Sequence, residues 1–89
     1  MADADERKLN RFYRTSTWRK LREAYITEHP LCELCSELGR ITVGTVVDHI
    51  IERRDGGHDT DKDNLQTLCN RCHTVKTNEE RKRRDNNEH

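Results

Sequence analysis

Two cysteine pairs of identical spacing, Cys32-x-x-Cys35 and Cys69-x-x-Cys72, stand 33 residues apart. A two-residue spacer lets both sulfurs of a pair face one ion, so two pairs can close a tetrahedral thiolate site of the kind that holds zinc. As disulfides they would make tight local rings, or cross-link a chain with no mark of secretion, and both are poorer readings. Four thiolates leave no open coordination position, so this zinc is structural. Chemistry has to come from elsewhere. Asp48 and His49 sit side by side in the apolar run VVDHII. Asp is depleted in strand interiors, so either the pair lies idle at a surface or the strand exists to hold it. His73 directly follows Cys72; adjacent residues rarely chelate one tetrahedral ion, which leaves this imidazole for another partner.

The elements that must position these groups are readable in outline. A helix is expected from Ser16 or Thr17, either of which can cap it. Trp18, Leu21 and Tyr25 then form an apolar stripe, read as core rather than as platforms for stacked bases. Pro30 ends the helix. The cysteine turn LCELC follows, with Gly39 as a breaker, and the β-branched residues 41–47 read as one or two short strands. Asp55-Gly56-Gly57 is a turn signal. Asp59, Asp61 and Asp63 alternate without the Gly and distal Glu of a calcium loop and read as solvated. A second cysteine turn leads into a helix expected from about Asn70 to Arg84.

Composition explains why zinc is needed. Of 89 residues, 30% are apolar and 38% charged, too little apolar surface to offset the entropy of ordering without a staple. Metal binding supplies roughly 10–16 kcal/mol of apparent folding free energy in small zinc modules. Net charge is zero, but it is unevenly spread. Residues 7–22 carry seven bases and no acid, and residues 23–63 carry ten acids against four bases. Basic ends around an acidic centre suit a polyanion gripped at two edges, although solvated helix faces account equally well for any single charge. No apolar stretch resembles a signal peptide or approaches the ~20 residues of a membrane helix, so a cytoplasmic protein with reduced thiols is expected.

Taken together, VDHI…GG…DNLQTLCNRCHTVKT resembles the HNH nuclease family, with His49, Asn64 and His73 as the three name-giving residues in order. The flanking cysteine pairs resemble its zinc-bearing branch, and WRKLREAYITEHPLCELC the lead-in helix of small phage and bacterial members. The resemblance spans residues 16–79. It implies a small α+β fold: a ββα-metal motif with an N-terminal helix and a structural zinc site of four cysteines. Residues 1–15 are then a basic, partly flexible arm, 16–84 the nuclease domain and 85–89 a polar tail.

The chemistry implied is metal-dependent hydrolysis of DNA phosphodiesters. Asp48 and His73 would hold Mg²⁺ or Mn²⁺, a mixed donor set that also tolerates Ni²⁺. His49 would be the general base, and Asn64 would orient it by bonding the backbone of the intervening loop. One such site cuts one strand, so a monomer or weak dimer should nick, leaving 5′-phosphate and 3′-hydroxyl ends. Candidate phosphate contacts are Arg14, Arg19, Lys20, Arg53, Arg54, Lys76, Arg81 and Arg83. His58 follows the glycines and could approach phosphate, but an ordinary loop position is the better reading, and His29 and His89 read as incidental. A packaging terminase is a compatible partner for a protein of phage type. The competing reading is a non-catalytic zinc module that binds nucleic acid, which would need none of Asp48, His49, Asn64 or His73. One geometric tension stands: neighbours on a regular strand face opposite ways, so the resemblance implies that the strand bends at Asp48-His49.

Overall fold

The structure, a computed structural model, describes residues 11–87. The first ten residues of the basic arm, with Arg7 and Lys8, and the end of the tail with His89 lie outside the described residues. Helix α1 runs Ser16–Glu28, and its cap is Thr15, whose hydroxyl accepts from Trp18 N at 3.2 Å. The cap therefore falls one residue before Ser16 and two before Thr17. Trp18 and Tyr25 are buried, with Leu21 and Ile26 packed beside them, as the stripe predicts. The helix stops at His29 because a residue before proline is pushed out of the α region.

Helix α2, Glu33–Glu37, is little more than the first cysteine turn. Gly39 ends it at φ +75°, with Arg40 N bonded to Cys35 O and Gly39 N to Ser36 O. This is a Schellman closure, and it needs a residue that tolerates the left-handed region. Strands β1 (Val46–His49) and β2 (Leu65–Leu68) then form a two-stranded antiparallel sheet, with Asp48 opposite Gln66 and His49 opposite Leu65. The strand expected over 41–47 thus lies further along. Residues 41–45 make only a single bridge, Leu31 to Val43, and Ile41 and Val43 point into solvent. Helix α3, Asn70–Asn87, runs three residues past the expected end.

The sheet is sandwiched rather than free-standing. Val47 and Leu65 join Trp18 and Tyr25 in one cluster; Leu68 joins Cys32 and Cys35 in another. Glu33 ties the two together, with one carboxylate oxygen accepting from Tyr25 Oη at 2.9 Å and Thr67 N at 2.5 Å. Tyr25 Oη also lies 3.0 Å from Leu65 O. Burial, then the carboxylate beside it, drives the Tyr25 hydroxyl far above its ordinary range, so it stays protonated, with its one proton shared between these two acceptors. None of the described helices is long and apolar enough to cross a membrane.

Candidate active site and metal centres

The four cysteine sulfurs converge to within 4.8 Å of one another, with Cys35 Sγ 3.9 Å from Cys69 and 3.7 Å from Cys72. Tetrahedral zinc at ~2.3 Å from each sulfur requires spacings of about 3.8 Å, so the cluster fits that ion closely. Burial raises the Cys32 thiol, but backbone N–H groups of Cys35 and Cys69 outweigh it and bring it to about 7. Cys72 is pushed up to about 12 by its hydrogen bond with Cys69, by desolvation and by the Cys32 charge. Like charges this close suppress one another, and a cation at their centre is what allows all four to ionise.

The second candidate site lies where β1 ends against α3. The expected bend within the strand is absent: pairing is regular to His49, and the chain turns only at residues 50 and 51. Asp48 and His49 therefore do face opposite sides. Asp48 looks toward α3, where its Oδ2 accepts from Lys76 Nζ at 2.8 Å and from Gln66 Nε2 at 3.2 Å. Its Oδ1 is 3.8 Å from His73 Nε2. Two ligands of one divalent ion, each at about 2.1 Å, are at most about 4.2 Å apart, so Oδ1 and Nε2 can share an ion. The pair remains two ligands, so water or phosphate oxygens would have to complete the shell.

His49 looks the other way and is only 3% exposed. Its ring stacks on Trp18 at 5.1 Å and 23°. Nε2 lies 2.9 Å from the Asp59 carbonyl oxygen and Nδ1 lies 3.3 Å from Tyr13 Oη. A carbonyl can only accept, so Nε2 must carry a proton, and in the neutral ring Nδ1 then holds the lone pair. The tautomer is thus fixed by the loop that bears Asp59.

Asn64 holds that loop. Its Oδ1 accepts from Ile51 N at 2.9 Å, and its Nδ2 donates to Ile51 O and His58 O, both at 3.0 Å. One amide side chain thereby joins both ends of residues 51–58 and sets the carbonyl that follows at Asp59. Gly57 belongs to the same closure, since a Cβ there would sit 1.7 Å from Ile51 O. Asp59, expected to be solvated, instead takes Arg53 Nε at 2.7 Å on Oδ1. That hydrogen bond holds its carboxyl below the usual range despite partial burial.

The basic residues divide in two. Arg14, Arg19, Lys20, Arg54, Arg81 and Arg83 are exposed, as a phosphate-facing edge requires. Arg53 and Lys76 turn inward. Arg53 lies over the Phe12 ring at 4.2 Å while gripping Asp59. Lys76 donates to Asp48, to Glu80 Oε1 at 2.5 Å and to His49 O at 2.9 Å. Burial alone would lower its ammonium, but Asp48 and Glu80 outweigh that and hold it above the ordinary range. His58 Nδ1 accepts from Thr60 N and Asp61 N, which turns that nitrogen into the loop.

Sequence reasoning missed Tyr13, Gln66 and Glu80. Tyr13 carried no signal beyond being an aromatic among arginines. Glu80 did, standing four residues after Lys76 on one helix face.

The family model for HNH endonucleases matches residues 32–79, more than half of the chain. The chain belongs to the HNH endonuclease family. It is accordingly a metal-dependent nuclease with the ββα arrangement of β1, β2 and α3. Among solved structures, it is similar to the HNH endonuclease of the deep-sea thermophilic bacteriophage GVE2, crystallised with manganese. The two are 34% identical with a TM-score of 0.72, over 91% of this chain and 95% of that one. No curated protein matches it.

Proposed function

We propose that this HNH endonuclease hydrolyses DNA phosphodiester bonds by general-base catalysis at His49, nicking one strand per encounter. The observation that carries this reading is the His49 bonding pattern: Nε2 is committed to Asp59 O, which leaves Nδ1, met only by the long 3.3 Å contact with Tyr13 Oη, as the nitrogen able to accept a proton. A module that merely bound nucleic acid would need neither this arrangement nor the loop clamp at Asn64.

In the reaction, His49 Nδ1 takes a proton from a water whose oxygen attacks phosphorus. The P–O3′ bond breaks opposite the attack, the leaving 3′ oxygen takes a proton from solvent, and the products are a 5′-phosphate and a 3′-hydroxyl. Asp48 Oδ1 and His73 Nε2 would hold Mg²⁺ or Mn²⁺, and that ion, when bound, neutralises charge on the phosphate and the departing oxygen. Trp18 holds the imidazole plane, and Asp59 O its tautomer. Tyr13 Oη occupies the place beside Nδ1 that the attacking water takes, so Tyr13 turns aside as DNA docks. The exposed Arg14, Arg19, Lys20, Arg81 and Arg83 grip phosphates. Four reduced thiols suit a cytoplasmic setting.

The test is nicking of supercoiled plasmid in Mg²⁺, Mn²⁺ or EDTA, beside calorimetric Mn²⁺ titration. His49→Ala should lose most cleavage yet keep zinc and Mn²⁺ affinity, whereas Asp48→Ala and His73→Ala should lose Mn²⁺ affinity. A His49→Ala protein that nicks at near wild-type rate refutes the mechanism.

A further inference from the structure

His73, Lys76 and Glu80 stand at i, i+3 and i+7 along α3 and so share one face of it. That face meets the end of β1. Lys76 has three ammonium protons and three protein acceptors within 2.9 Å: Asp48 Oδ2, the His49 carbonyl and Glu80 Oε1. Its side chain is only 17% exposed. An ammonium so saturated has no donor left for a phosphate, and its contacts fall on the one dipeptide whose side chains carry the proposed chemistry. Glu80 is itself only 7% exposed and serves neither the thiolate site nor the Asp48–His73 pair, although its carboxylate lies within 4.8 Å of those of Glu52 and Asp55. Burial of a carboxylate is costly unless it is paired; Lys76 on Oε1 is its closest partner, and Arg84 Nη2 lies 3.6 Å from Oε2.

We propose that Lys76 is a positioning residue that acts as the internal counter-charge of Asp48, with Glu80 as its anchor. Lys76 and Gln66 bind Oδ2 and leave Oδ1 turned to His73, so that Asp48 offers the divalent ion one oxygen rather than two. By also holding the His49 carbonyl, Lys76 sets the backbone from which the base projects. It does so at a cost in metal affinity, because a fixed positive charge stands beside the place where a cation binds. This inference rests on the reading that Asp48 and His73 hold the divalent ion.

Two opposed effects distinguish it. In zinc-loaded full-length Lys76→Met, Mn²⁺ should bind about tenfold more tightly, since a unit charge within several Å of a divalent ion is removed. The turnover of the same variant on plasmid should fall about tenfold or more at saturating Mn²⁺, because the carboxylate and the base are no longer held in register. A salt bridge that served stability alone would lower the melting temperature and leave Mn²⁺ affinity unmoved. Unchanged or weaker Mn²⁺ binding in Lys76→Met, or unchanged turnover, overturns the proposal. Glu80→Gln gives a second measurement should Lys76→Met not fold. Freed of its anchor, Lys76 bears more fully on Asp48, and Mn²⁺ affinity should drop about two- to fivefold; no change there also overturns it. Asp48→Asn serves as the control. If it keeps wild-type Mn²⁺ affinity, the ligand assignment has failed; if it loses affinity while Lys76→Met and Glu80→Gln do not move, only the Lys76 proposal has.

Discussion

Replacing Asn64 with Ala removes three hydrogen bonds, to Ile51 N, Ile51 O and His58 O, and leaves the fold's two clusters untouched. Each such bond contributes about 0.5–1.5 kcal/mol net, and these lie in partly exposed surroundings, so a total of about 2 kcal/mol is reasonable. That corresponds to a roughly thirtyfold larger population of the opened loop. In that state Asp59 O no longer fixes the His49 tautomer, and the base loses its orientation. General-base catalysis is worth about 10²–10⁴-fold, so the opened loop is nearly inactive, and plasmid nicking should fall about ten- to thirtyfold as the competent population shrinks. Trypsin gives an independent readout. Arg54 is exposed within the loop, and cleavage after it should accelerate in Asn64→Ala while zinc content and Mn²⁺ affinity hold. Asn64→Asp, although nearly isosteric, should be at least as damaging, because a carboxylate would face the two carbonyls that Nδ2 now serves. The reasoning is refuted if Asn64→Ala nicks within about threefold of wild type. It is equally refuted if activity is lost while the loop stays as resistant to trypsin as before.

Three further outcomes are expected. Tyr13→Phe removes the hydroxyl from His49 Nδ1, and because a 3.3 Å contact is a weak bond of about 0.5–1 kcal/mol, turnover should rise about two- to fivefold; a tenfold fall would instead make Tyr13 part of the proton path. Purified protein should carry one zinc per chain by metal analysis, and Cys69→Ser should melt far below wild type or fail to fold, as circular dichroism would show. DNA binding by His49→Ala should weaken about a hundredfold between 50 mM and 200 mM salt if about four phosphates are contacted, and Arg19→Ala should flatten that slope by about one unit.

What could be read in advance was what depends on local spacing. The cysteine pairs, the Trp18-Leu21-Tyr25 stripe and the breaks at Pro30 and Gly39 are encoded within a few residues of one another, and all appear as expected. What could not be read depends on partners distant in the chain. Lys76 looks like any helix-surface lysine until β1 arrives beside it. Arg53 looks like a loop arginine until Phe12 and Tyr13 cover it. The β-branched residues 41–45 suggest a strand, but strand preference is a matter of packing context; Ile41 and Val43 find no neighbour to pair with beyond one bridge. The opposed directions of Asp48 and His49 were foreseeable from the alternation of side chains along a strand, and the described residues keep them opposed. No kink brings them together. The strand simply stops at His49, between a helix on one side and an aromatic cluster on the other.

The clamp at Asn64 has a consequence for how such an enzyme can change over time. Gly57 N bonds Glu52 O, and Asn64 secures Ile51 and His58, so the bonds that set the base are made by residues on either side of the tip at 54 and 55. Lengthening a loop outside its closure costs little, about 0.6 kcal/mol for each doubling. New segments can therefore be grafted at that tip, by evolution or by design, to reach further along a duplex or to recognise a particular site. The reacting groups would be inherited unaltered, and reach and chemistry can diverge separately within one short chain.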